Sequence, residues 1–317
     1  MKRTCYNFRV RFLIIISFIG VTFFGNSQQI AQYSQWSFNQ FAINPALAGV
    51  KRCLDVRTAY RMQWAGFEGA PQSGLFTINA PISKKRKSLS SPFHGIGGKI
   101  ERDVFGNFNN FAISIAYALH FPLGREKMLS FGLSGGIQQF GFDQTQATTI
   151  DPDPAVAQSA SNFLFPLVGF GSWYSSENFY AGLSVDQIAK NKWDDIGLAS
   201  RFRLHTKFQL GTKFTFDNKN TLLPGLLIRI PPAGPISFDI NAMLDFQNNF
   251  MVGIGYRNVD AFIGFMRVRI QQITIGYSFD FITSDIRGGN FHTHELSIHY
   301  NTCQYGKKST KACPLFE

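Results

Sequence analysis

The chain has 317 residues and a formal net charge of +11, with 34 Phe, 29 Gly and only 16% charged residues. Its length suits one large β domain or two ordinary ones, and its mean hydropathy lies far below that of a helical membrane protein. A soluble β protein or a transmembrane barrel, half of whose strand residues face water, fits these totals. The cations are spread along the chain and not gathered in one run, which argues against nucleic acid and for a lumen or loop set that attracts anions.

Residues 1–27 read as a secretory signal. Lys2, Arg3, Arg9 and Arg11 precede an apolar run at 12–24, and Gly25, Asn26 and Ser27 offer small residues for cleavage. The run is short for a transmembrane helix, and no second one follows, so any membrane insertion must be by strands. Cys5 precedes the run and is not placed like a lipoprotein acylation site.

Residues 28–50 differ in kind. They carry Gln, Asn and aromatic residues without clean alternation and end in Asn-Pro-Ala and Ala-Gly turn chemistry. Such a segment can lie inside a barrel, its amides bonded to lumen groups, or form a periplasmic arm; the lumen or rim is the preferred reading.

Two stretches here are specific. One runs from Tyr33 and Trp36 through Phe38, Asn39, Gln40 and Phe41 to Asn44 and Pro45. The other holds Arg61, Gln63, Trp64, Gly66, Phe67 and Pro71. Both resemble the opening of the PorP/SprF family, membrane proteins of the type IX secretion and gliding machinery of Bacteroidota. The resemblance continues through Ser130–Gly136, Phe179–Ser184 and Gly276–Asp280 to near Leu296. It implies outer-membrane lipid, secretion-machinery components and a secreted or surface-attached protein as partners, with the motif residues as contacts to a partner or to a plug.

Strand candidates then follow in order. Residues 51–64 alternate Leu54, Val56, Thr58 and Tyr60 against Asp55, Arg57, Ala59 and Arg61. A turn at 64–71 places Trp64 and Phe67 like interface aromatics. Residues 74–81 form the next strand, and Lys84–Lys87 a solvated loop. A hairpin pairs 95–103 with 108–121 across Gly106-Asn107. In its second arm Phe111, Ile113, Ile115, Tyr117, Leu119 and Phe121 oppose Ala112, Ser114, Ala116, Ala118 and His120, leaving room inside. Residues 128–140 form a Gly-rich strand, 141–162 the longest loop, and 163–175 with 179–186 the next hairpin. The paired aspartates Asp151 and Asp153 lack the spacing of a calcium loop.

After a loop at 187–200, residues 201–216 alternate most plainly. Phe202, Leu204, Thr206, Phe208, Leu210, Phe214 and Phe216 share one face; Arg203, His205, Lys207, Gln209 and Lys213 share the other. Lipid suits the first and a watery lumen the second, although a long strand of a soluble sandwich would look similar. Strands at 221–230, 235–246, 250–257, 261–269, 271–281 and 294–300 bring the total to about fourteen, an even number as such barrels require. Pro224 weakens its strand as a candidate. In the polar tail, 301–317, Cys303 and Cys313 can pair, which would leave Cys53 over.

The expected fold is all-β: a single transmembrane antiparallel barrel, with a signal at 1–27, a non-strand segment and possible plug at 28–50, the barrel at 51–300 and a tail at 301–317. His292, His294, Glu295 and His299 disperse over two strand faces, so no metal site is expected. No nucleophile with a supporting base and no phosphate loop is visible, so no catalytic residue, cofactor or enzyme activity is expected. The expected role is support for translocation or surface attachment of particular secreted proteins; the alternative is a porin-like channel, distinguished by an open lumen.

Overall fold

The computed structural model describes residues 31–82, 91–124, 126–142, 162–189, 204–216, 220–232, 234–247, 249–258, 260–284 and 292–303. The signal, Lys84–Lys87, Asp151–Asp153, Arg203 and Cys313 lie outside them.

The period-two pattern becomes strand throughout. The segments are β1 (Asp55–Met62), β2 (Gln72–Pro81), β3 (Phe93–Phe105), β4 (Phe108–Pro122), β5 (Met128–Phe142), β6 (Phe163–Ser175), β7 (Phe179–Asp186), β8 (His205–Thr212), β9 (Phe214–Thr215), β10 (Thr221–Ile230), β11 (Ser237–Phe246), β12 (Phe250–Arg257), β13 (Ala261–Ile270), β14 (Ile273–Ile282) and β15 (Thr293–Asn301). All pairings are antiparallel between neighbours, and β8 and β9 both lie against β10 as two pieces of one wall strand, giving fourteen. The last strand closes on the first: β1 pairs β15 from Asp55↔Asn301 to Met62↔His294. Closure satisfies the backbone groups that an open edge would leave in lipid.

The break in the β8 wall has a local cause. Pro224 lacks an amide hydrogen, and the ladder between β8 and β10 stops at Gly211↔Gly225 and resumes at Phe214↔Leu222. Pro224 sits in this gap within an otherwise complete strand, so its effect is an interruption of one neighbour.

Alternation sets the two surfaces. In β13 every second residue from Ala261 to Arg267 is buried and those between are exposed. Ile115, at 68% exposure, and Ile254, at 73%, lie on an outer surface made of such side chains. Apolar exposure of this extent suits lipid as solvent and is unfavourable in water. Phe208 faces out, and His205 and Lys207 face in.

The wall has two ends. The turns β6–β7, β11–β12 and β13–β14 lie at one, here the base, together with the start of β1 and the end of β15. The two longest connections, β5–β6 and β7–β8, join their strands at the other end, the mouth, which is the outward end by the usual barrel rule. At the base, Cys53 and Cys303 form a disulfide, Cα–Cα 5.3 Å, across 250 residues. The sequence left the pairing open, with Cys303–Cys313 as one option; Cys303 is instead joined to Cys53. The β1–β15 register brings Asp55 opposite Asn301, and so places the residues two beyond each within bonding reach. Peptide mapping of unreduced, alkylated protein should recover Cys53 joined to Cys303; a Cys303–Cys313 peptide would contradict the seam register.

Candidate functional site

The site is the lumen and the segment within it. Residues 31–50 run from the mouth half of the lumen to the base. They form two single-turn 3-10 helices, Gln40–Ala42 and Pro45–Leu47. Asn39 caps the first, accepting from the Ala42 amide. Asn44 caps the second in the same way, at 3.0 Å from the Ala46 amide, with Pro45 at the first helical position where its missing donor costs nothing. Asn44 also donates to the Ser172 and Leu183 carbonyls at 3.0 and 3.2 Å.

Inward glycines let this backbone approach the wall. A Cβ at Gly95 would overlap the Ala48 carbonyl, and one at Gly132 the Pro45–Ala46 peptide. Gly97 makes room for the Phe41 ring, and Ala116 and Ala118 pack with Phe41 and Ala48. Gly95→Leu should therefore cost about 1–3 kcal/mol, since backbone and not a mobile side chain must yield. Gly98→Leu is the control, because its Cβ meets only Ile78 at 3.6 Å and the Ser114 carbonyl at 3.9 Å, both ordinary contacts. Equal urea midpoints for the two variants in detergent would contradict the seating.

The mouth end of the segment is held by a buried charge network. The Glu295 carboxylate accepts from the Ser34 and Gln35 amides at 2.7 and 3.0 Å. The Ser34 hydroxyl donates to Asp280 at 2.6 Å and accepts from Arg61 at 2.5 Å and Arg257 at 3.3 Å. Arg61 bridges Asp280 at 2.9 Å and Glu295 at 3.3 Å, and its side chain is 1% exposed. Arg257 bridges Asp239 and Asp260, both at 3.2 Å, and Arg229 reaches Asp239 at 3.0 Å. Guanidinium groups meet carboxylates here without lone charges, which burial requires.

The base end is held differently. The Nε2 of His120 is 2.9 Å from the Ala48 carbonyl, so that nitrogen carries the hydrogen and Nδ1 faces the Ser130 hydroxyl at 2.7 Å. The ring stacks on Phe93. The Gly49 amide donates to Asn79 at 3.1 Å. Below, Asp55 gathers Arg57, Lys51 and His299 at 2.7–3.0 Å beside the disulfide.

The two motifs converge on one space. Trp36, 2% exposed, packs beside Gly225, and the Arg267 guanidinium lies 3.2 Å over the Phe38 ring. Asn39 donates to Thr77 at 3.1 Å, and the Gln40 carbonyl accepts from Ile43 and Asn44. In the second motif Arg61 enters the network, while the rest forms the β1–β2 turn at the mouth. Trp64 there has φ +55° and Gly66 φ +100°, and the Gln63 amide donates to the Pro71 carbonyl. Tyr33, Trp36, Phe38, Gln63, Phe67 and Pro71 all line a cavity of about 1880 Å³ between the segment and the mouth. His205 and Lys207 line it too, whereas Lys213 sits at the β8–β9 break, its amide bonded to Asn178.

Cations that were expected to attract anions into the lumen have carboxylate neighbours. Lys207 pairs with Asp186 at 2.6 Å and Lys99 with Glu101 at 3.4 Å, so these cations are neutralised locally. Alternation placed Lys207 inward but gave no sign of which carboxylate would lie opposite. Asp280, Glu295, Asp239 and Arg257 were missed as a group, because all four of their strands are far from β1 in sequence. Among the described residues no His, Cys, Asp or Glu group of three or more is placed to hold a metal.

A closed wall with an apolar exterior, enclosing a segment fixed by buried charges, defines a transmembrane β-barrel of the outer-membrane type. Residues 25–300 match the family model described as type IX secretion system membrane protein PorP/SprF, and the chain belongs to that family. No curated protein sequence matches it. Among solved structures it is similar to the outer membrane protein Omp33 of Acinetobacter baumannii, at 7% identity and TM-score 0.47, covering 78% of this chain and 97% of that one. A FadL homologue of Pseudomonas aeruginosa is similar at 12% identity and TM-score 0.46, covering 87% and 96%. The translocator domain of the autotransporter NalP from Neisseria meningitidis gives 11% and 0.43, covering 78% and 87%.

Proposed function

We propose that this protein is a non-enzymatic docking scaffold of type IX secretion, which supports translocation or surface attachment of particular secreted proteins. Its organisation would be a signal at 1–27, a plug at 28–50, the barrel at 51–300 and a tail at 301–317. The observation that carries this reading is the buried charge network that ties Ser34 and Gln35 to four strands. A segment held so firmly restricts the pore, which suits a scaffold and not a diffusion channel. The motif residues Tyr33, Gln63, Trp64 and Phe67 then present a surface at the outward cavity for machinery or substrate, while Trp36 is buried beneath them. Deleting the chain from its host and comparing secreted and surface proteins tests the role. Loss of a small set of exported proteins, with the rest unchanged, is expected. An unchanged census together with slower uptake of small solutes would favour the channel instead.

A further inference from the structure

The mouth half of the lumen departs from the polar interior that barrels carry. β3 to β6 bring Phe105, Phe108, Phe140, Phe142 and Phe163 onto their inner faces, in paired register Phe105↔Phe108, Phe108↔Phe142 and Phe140↔Phe163. The rings form one row: 105 to 108 is 5.2 Å, 108 to 142 is 5.0 Å and 108 to 140 is 5.5 Å between centroids. Phe165 backs the row, and the five others line the cavity. Below them Gln138 donates to Asn110 at 2.7 Å. Across the cavity stand ion pairs, Lys207 with Asp186 and Arg257 with Asp260.

We propose that this row is a binding site for an extended, amphipathic polypeptide segment of an exported protein, entering from the mouth. The inference rests on the secretion reading above and gives it a place. The cavity, about 1880 Å³, exceeds the roughly 300–1,000 Å³ of small-molecule sites. Lys99, Lys207, Arg229 and Arg257 around it are already paired with carboxylates, so a free anion gains little there. An acyl chain would want apolar walls all round. A strand presents apolar side chains on one side and polar ones on the other. That division matches a phenylalanine row facing a charged and amide-bearing wall. Aromatic rings also supply large contact area at low entropic cost, as interface anchors do.

The test uses the full chain in growing cells. Phe108 is replaced by a photo-reactive benzophenone analogue of phenylalanine, and Ile115, on the lipid side of the same strand, serves as control. Illumination should join position 108 to one segment of an exported protein, and that protein should be among those lost in the deletion strain. Position 115 should join lipid only. In parallel, F108D/F142D should fold, judged by its heat-modifiable band, and should reduce surface retention of that protein by roughly thirtyfold. F108L/F142L should retain most of it and separates apolar contact from folding. Lipid alone at position 108, or normal retention by the folded F108D/F142D protein, overturns the site. If the deletion strain loses no exported protein at all, the secretion reading itself fails, which is a different outcome.

Discussion

Arg61→Ala is expected to destabilise the folded barrel by about 3–5 kcal/mol, because removing one partner leaves buried charge uncompensated. Asp280 and Glu295 would face each other with only Arg257, 3.6 Å from Asp280, nearby. Ser34 would lose one of the groups that orient its hydroxyl. The effect should therefore be twofold: a lower urea midpoint in detergent and a segment that leaves its seat part of the time, seen as intermittent conductance. Arg61→Lys should recover only part of the loss, since a single ammonium cannot fork between two carboxylates as guanidinium does. A loss below about 1 kcal/mol, the range of exposed ion pairs, would mean that the network is solvated and does not anchor the segment.

Phe208→Arg carries the second large effect. Phe208 is 40% exposed on the outer face, midway along β8. A cation there meets hydrocarbon and should cost about 2–4 kcal/mol near the midplane. On sequence alone Lys207→Glu looks harmless, a mere change of lumen charge. The structure reverses that expectation, because Asp186 lies 2.6 Å from the Lys207 ammonium and would face a second carboxylate. Lys207→Gln is the proper inward control and should cost far less than Phe208→Arg. Similar losses for the two, measured as unfolding midpoints in lipid vesicles, would mean that the faces are misassigned.

These contrasts show where the sequence speaks and where it stops. Alternation identified the lipid and lumen faces of β4 and β8 because lipid and water impose opposite demands on adjacent residues. Strand number and order also followed, since neighbours in a meander are neighbours in sequence. Closure does not leave a local mark. The pairing of β1 with β15, and with it the Cys53–Cys303 bridge, joins residues 250 apart, and a count of cysteines leaves the pairing open. The small inner residues Ala112, Ser114, Ala116 and Ala118 were visible, but only the packed segment explains why Gly95 and Gly132 on the flanking strands lack side chains. The inward phenylalanines at 105, 108, 140, 142 and 163 sit near strand ends, where turn chemistry and alternation overlap, and their shared row arises only when four strands align.

The central claim is that residues 31–50, held by Ser34 and Gln35 at one end and by Ala48 and Gly49 at the other, restrict the pore. Single-channel recording in planar bilayers compares the intact protein with a form lacking residues 32–42. The account predicts that the intact barrel stays near closed, and that the shortened one folds and conducts steadily. An intact protein that conducts like an open porin, unchanged by the deletion, would contradict it.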